Sequence, residues 1–123
     1  MSAVADDGSV GIGISTPGAN LDVNGSFKLG TSGTVLGGIL KTSATVVDNT
    51  GFTNTTSRTE TVTVTGAAVN AAVIVNPRTA LPSRLGIAFA YVSAAGTVKI
   101  NITNATTTSL ALGTVVFDIT IIQ

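Results

Sequence analysis

The chain has 123 residues and 12.2 kDa, with six Lys and Arg balanced by six Asp and Glu, so it suits one domain with little to spare. Sparse, balanced charge excludes the basic footprint that nucleic acid or an anionic membrane requires. With no His and no Cys, zinc sites of the usual ligand types, Ser-His-Asp triads, cysteine nucleophiles and disulfides are excluded too.

The first forty residues hold nine of the 14 glycines. Between them lie short apolar pieces: Val10, Ile12 and Ile14, then Leu21 and Val23, then Phe27 and Leu29. The alternation Val10-Gly11-Ile12-Gly13-Ile14 is strand-like, with one apolar face and one bare of side chains. Thr16-Pro17-Gly18-Ala19-Asn20 and Asn24-Gly25 are turn signals, because Pro presets φ while Gly and Asn accept positive φ. These pieces are too short to bury a core within one chain and make sense against identical pieces from sister chains. Residues 1–41 are therefore expected to be a glycine-rich β segment that associates with sister chains through Ile12, Ile14, Leu21, Val23, Phe27 and Leu29.

Residues 42–123 are expected to form a β-sandwich head, jelly-roll-like, in an all-β protein. Strands are predicted over Ile39–Val47, ended by Asp48-Asn49-Thr50-Gly51, and over Thr59–Thr65, with Val62 and Val64 inward. Ala72–Val75 is a short strand stopped by Asn76-Pro77. Gly86–Ser93 follows, and Ala94-Ala95-Gly96 is a hairpin connection to a strand with Val98, Ile100 and Ile102 on one face. The last strand, Val115–Ile122, puts Phe117, Ile119 and Ile121 on one face. Its other face mixes Val116 and Ile122 with Asp118 and Thr120, which fits either an edge strand under a loop or a subunit contact. No amphipathic helix is predicted, and strands at roughly ten-residue spacing are the pattern of a sandwich or jelly roll.

Thr and Ser supply 31 of the 123 residues, whereas aromatics are only Phe27, Phe52, Phe89, Phe117 and Tyr91. An apolar chain with few charges needs part of its surface covered by another chain. Met1–Asp7 lacks the pattern of a secretory leader, and Leu85–Val98, the uncharged stretch, falls short of the 18 to 20 or so residues of a membrane span. No membrane insertion is expected.

Candidate chemistry is thin. The glycine run Gly11–Gly18 lacks both the dinucleotide spacing and a following Gly-Lys-Ser/Thr, so it reads as tight β structure. Asp6-Asp7-Gly8-Ser9 lacks the alternating acids of a calcium loop, and neither a metal nor a cofactor is expected. Glu60 and Asp118 fall on strands that could pair, the one arrangement that could assemble a glycosidase-type dyad. Asn54, Asn101 and Asn104 head sequons expected by chance in a Thr-rich chain. The loop Asn76–Arg84 is the most site-like stretch: two Pro stiffen it, two Arg offer planar donors, and Tyr91 follows. Arg78, Arg84 and Tyr91 suit sugar or carboxylate recognition.

Two stretches resemble a known class of protein. Val10-Gly11-Ile12-Gly13, Thr16-Pro17-Gly18 and Leu21-Asp22-Val23-Asn24-Gly25 resemble the VGIGTxxPxxxLDVxG segment of phage tail fibres, of endosialidase-chaperone-type fibres and of fibre-like bacterial surface proteins. Thr61–Ala68, Val75-Asn76-Pro77, Leu81-Pro82 and Tyr91–Ala95 resemble a small domain at the C-terminal ends of such fibres. The resemblance implies a homotrimer with an intertwined β stalk and a head that contacts a cell-surface glycan or protein. Its place would be a virion tail-fibre tip or a bacterial cell surface. No catalytic residue of such fibres maps onto this chain. The expected function is a non-catalytic fibre-tip adhesin, with a purely structural trimerising cap as the alternative.

Overall fold

The computed structural model describes residues 2–4 (backbone), 8–53, 56–82 and 84–123. The chain is all-β, with no helix among these residues, and divides into two compact units, Met1–Gly38 and Ile39–Gln123.

In the first unit, β1 (Ser2–Val4), β2 (Val10–Ile12) and β3 (Leu21–Val23) form one sheet in that order, and β4 (Phe27–Lys28) pairs with β5 (Val35–Leu36). β1 and β2 are antiparallel, whereas β2 and β3 are parallel, in register from Val10 opposite Leu21 to Ile12 opposite Val23. Parallel neighbours ordinarily need a connection of about a dozen residues or more, but residues 13–20 suffice here. The motif residues make that turn possible. Asp22 Oδ2 accepts the Gly18 N–H at 2.9 Å, and Asn24 Nδ2 donates to the Gly13 carbonyl at 3.2 Å. Val10 N–H donates to the Asn20 carbonyl at 2.8 Å and Asn24 N–H to the Ile12 carbonyl at 2.9 Å, closing both ends. Gly11 is required by space, since a Cβ there would lie 2.5 Å from the Ile14 carbonyl oxygen and 3.0 Å from Pro17 Cγ. Among the described residues of this unit only Ser9 and Gly11 are buried; no apolar side chain is.

The second unit is built from β6 (Ile39–Asp48), β7 (Ser57–Thr63), β8 (Ala72–Pro77), β9 (Leu85–Ala94), β10 (Thr97–Asn104) and β11 (Gly113–Ile122). They form two three-stranded antiparallel sheets, β7-β10-β9 and β6-β11-β8. Strict alternation sends Val62, Val98, Ile100, Ile102 and Val92 inward from the first sheet and Val46, Val115, Phe117, Ile119 and Ile121 inward from the second, into one core cluster. Phe117, Ile100, Val98 and Ile121 have no exposed surface at all. The β9–β10 hairpin turns at Ala95-Gly96, with Gly96 at φ 73°, where a side chain would be strained, and a register shift between Thr97 and Val98 absorbs the extra residue.

Two expectations are corrected. β11 is the central strand of its sheet, flanked by β6 and β8, rather than an edge strand. Its outer face stays mixed although the strand is central, so the mix is a property of the face and not of the strand's position. Asn76-Pro77 does not stop β8 but completes it, opposite Asp118 and Phe117. Proline is tolerated because β8 pairs on one side only and Pro77 is its last residue.

Candidate functional site

The predicted ligand residues Arg78, Arg84 and Tyr91 are held by three different parts of the second unit. Arg78 follows β8, where its N–H donates to the Val116 carbonyl at 2.9 Å. Its side chain engages Asp118 on the outer face of β11: Nε donates to Oδ1 at 2.9 Å and Oδ2 at 3.0 Å, and Nη2 lies 2.8 Å from Oδ1. The Arg78 hydrogen bonds hold the Asp118 carboxyl below its ordinary value and raise the Arg78 guanidinium above its own. The pair borders a shallow cleft of about 530 Å³ lined by Lys41, Ser43, Asn76 and Thr120. That surface offers hydroxyl and amide groups, but its arginine is already committed to a carboxylate.

Arg84 lies in the β8–β9 loop with φ 66°, and its carbonyl accepts the Ala105 N–H at 3.2 Å. Its neighbour Ser83 is outside the described residues. Tyr91 stands on the outer face of the other sheet, on edge strand β9, next to Phe89 with ring centroids 6.1 Å apart. Directly across from Tyr91 is Lys99, and across from Phe89 is Asn101, whose Nδ2 donates to Thr59 Oγ1 at 3.3 Å.

The acids are not arranged as the sequence suggests. Glu60 on β7 and Asp118 on β11 belong to different sheets, so they do not pair. Glu60 instead meets Asp48. Asp48, Arg58 and Glu60 sit on the inward faces of β6 and β7 at one end of the core, in line with Val46 on one strand and Val62 on the other. Arg58 Nη1 donates to Asp48 Oδ2 and, at 2.8 Å, to the Thr50 carbonyl, while its Cζ lies 5.1 Å from the centre of the Phe52 ring. The Arg58 hydrogen bond is the main influence drawing the Asp48 carboxyl down. Burial, then the Asp48 charge, pushes the Glu60 carboxyl up. Separated acidities of this kind can serve acid–base chemistry, and structural ion pairs produce them as well. With Arg58 bridging to Thr50 and stacked on Phe52, this cluster is a latch at the end of the core.

Asn104 is a further residue that its polar surroundings in sequence conceal. It is 1% exposed; its Nδ2 donates to the carbonyls of Phe52 (3.0 Å) and Thr108 (2.9 Å), and its Oδ1 accepts from Thr106 N–H (2.9 Å) and Oγ1 (2.7 Å). Asn101 is buried as well, and Asn54 lies outside the described residues, as do Asp6 and Asp7. The signal that could have found Arg58 and Glu60 is their parity with Val62 and Val64 along one alternating strand.

Of the six expected trimer-core side chains, half remain largely uncovered by their own chain. Ile12 is 44% exposed, Leu21 62% and Leu29 77%, while Ile14, Val23 and Phe27 are half-buried. Among the described residues no group of three or more acidic side chains is placed to hold a metal ion. Among the same residues no helix is long and apolar enough to cross a membrane. Comparison of the chain with protein-family models, with curated proteins and with solved structures finds no match.

Proposed function

We propose that this chain is the tip of a homotrimeric fibre, a non-catalytic adhesin whose second unit recognises a cell-surface ligand, a glycan before a protein. One observation carries the reading: among its described residues the first unit buries no apolar side chain of its own, although it presents Ile12, Leu21, Leu29 and Val35, each 44% to 77% exposed. Apolar surface of that kind is stabilised by about 25 cal/mol per Å² when another chain covers it. A C3 arrangement of sister copies covers it with closed symmetry, leaving no face free to propagate. An intertwined stalk and a jelly-roll-like head are the finer form of the same proposal. Three equivalent sites then convert weak single contacts into firm attachment.

Light scattering tests it directly. The expected mass is three times the chain mass of 12.2 kDa, and I12S/L21S/L29S should release monomers that keep the β signature of the second unit in circular dichroism. A monomeric wild-type protein in dilute buffer overturns the proposal. The structural-cap alternative draws support from the Arg78–Asp118 pair, which occupies the guanidinium edge a ligand would use. A stable trimer that binds neither cells nor glycans decides for the cap.

A further inference from the structure

We infer that the outer face of the β7-β10-β9 sheet is a platform for an acidic sugar, with Phe89 and Tyr91 receiving the apolar face of a pyranose ring and Lys99 its carboxylate. The inference rests on the adhesin reading and specifies its ligand class.

The chain has five aromatic residues, and it spends Phe117 and Phe52 in the core. Phe89 and Tyr91 are instead 56% and 45% exposed, side by side on one edge strand. Their ring planes differ by 35°, far from an edge-to-face pair, so neither ring covers the other and together they offer one broad apolar surface. The rows beside them are polar. Lys99 stands opposite Tyr91 and Asn101 opposite Phe89, with Thr61 and Thr59 opposite these in turn on β7. Asn101 is buried with its Nδ2 on Thr59, so Lys99 and the β7 threonines are the polar groups offered; a surface apolar along one row and polar along the next matches a sugar ring, which has an apolar face and polar edges.

Charge selects the class of sugar. Lys99 is half-buried and stands directly across from Tyr91, so a stem that packs on the sheet with its charged head in solvent brings a cation to this row. The carboxylates of this unit are all elsewhere: Asp48 with Arg58, Glu60 facing inward, and Asp118 with Arg78 on the other sheet. Lys99 therefore has no carboxylate of this unit placed against it on its own face, whereas in the cleft bordered by Arg78 and Lys41 the guanidinium is already bound by Asp118. A subunit contact is the rival occupant. Aromatic side chains with few charges mark such contacts too, and oligomeric mass decides between the two occupants.

The test titrates the intact protein, by NMR or calorimetry, with a uronic-acid oligosaccharide and with its neutral counterpart, and compares F89A, Y91A and K99Q. The expected result is millimolar binding per site with preference for the acidic ligand, weakened about tenfold by F89A or Y91A. K99Q should abolish the preference and the salt dependence while keeping weak binding of the neutral sugar. Titrations that F89A and Y91A leave unchanged, or a neutral preference in the wild type, overturn the inference. So does a fall in oligomeric mass on F89A, which makes the face a subunit contact. Cell binding separates the two levels: adhesion retained by F89A/Y91A refutes the platform and keeps the adhesin, whereas wild-type protein that binds no cells refutes the adhesin itself.

Discussion

Asp48, the last residue of β6, and Arg58, near the start of β7, join the two sheets of the second unit by an ion pair on their inward faces. The side chains are 13% and 28% exposed, so neither charge is fully hydrated and each depends on the other. The Phe52 ring closes the far side of the guanidinium, and the Phe52 backbone is in turn bridged to Leu110, in both directions, at 2.9 and 3.2 Å. The connection from β6 to β7 and the one from β10 to β11 are thus fastened to the same end of the core.

Replacing Arg58 should therefore cost more than an ordinary surface charge. R58A leaves Asp48 half-buried without its cation and removes the stacking on Phe52; a loss of about 1–3 kcal/mol is expected. R58K should recover part of it, because an ammonium keeps the charge but not the planar stacking. Urea unfolding at neutral pH measures both.

Acid and base should act oppositely on this cluster. Asp48, whose carboxyl is drawn below its ordinary value of 3.8, adds stability that is present above that value and lost as pH falls through the folded one. Glu60, pushed above 4.5, adds stability that is present below that value and lost as pH rises through the folded one. E60Q is expected to raise the denaturation midpoint at pH 7 and leave it unchanged near pH 4. D48N should lower it at pH 7, with the difference shrinking as acid protonates the wild-type carboxyl. A flat difference across pH for both variants contradicts the assignment.

Asn104 is the other fastening. N104A would strip the Phe52 and Thr108 carbonyls and the Thr106 donors of their partner, in a position 1% exposed. The expected loss is about 2–4 kcal/mol, because buried groups left unpaired are penalised more than a made bond contributes. N104D keeps the acceptor but loses both donors, so it should be no better. Denaturant midpoints at fixed m-value decide this.

In the first unit, G11A and G18A should separate cleanly. A Cβ at Gly11 meets the Ile14 carbonyl at 2.5 Å, whereas at Gly18 its nearest neighbour is Asp22 Oδ2 at an ordinary 3.7 Å. G11A is expected to expose residues 13–20 to limited proteolysis and lower the melting temperature of the first unit; G18A should do neither. Equal behaviour of the two variants is the outcome against it.

Much of the second unit is legible from alternation alone. Val62, Val64, Val98, Ile100, Ile102, Phe117, Ile119 and Ile121 point inward as their spacing predicts, because a one-residue slip would turn every one of them to solvent. Sheet partners are less legible: β11 lies between β6 and β8, which are far from each other in sequence, and no local signal encodes that choice. Asn104 reads as the start of a polar loop, since its burial arises only when the connections around Phe52 and Thr108 close on it. Among the arginines, prolines draw attention to Arg78 and Arg84, while the inward parity of Arg58 is quieter and marks the more buried residue.

The parallel pairing of β2 with β3 has a geometric result. After residues 13–20 the backbone resumes its original heading, shifted sideways by one strand width of about 4.8 Å. Such a segment is a unit of translation: each appended copy would move the chain sideways by one further strand width. Each strand added this way takes eleven residues, the offset that sets Val10 opposite Leu21 and Ile12 opposite Val23.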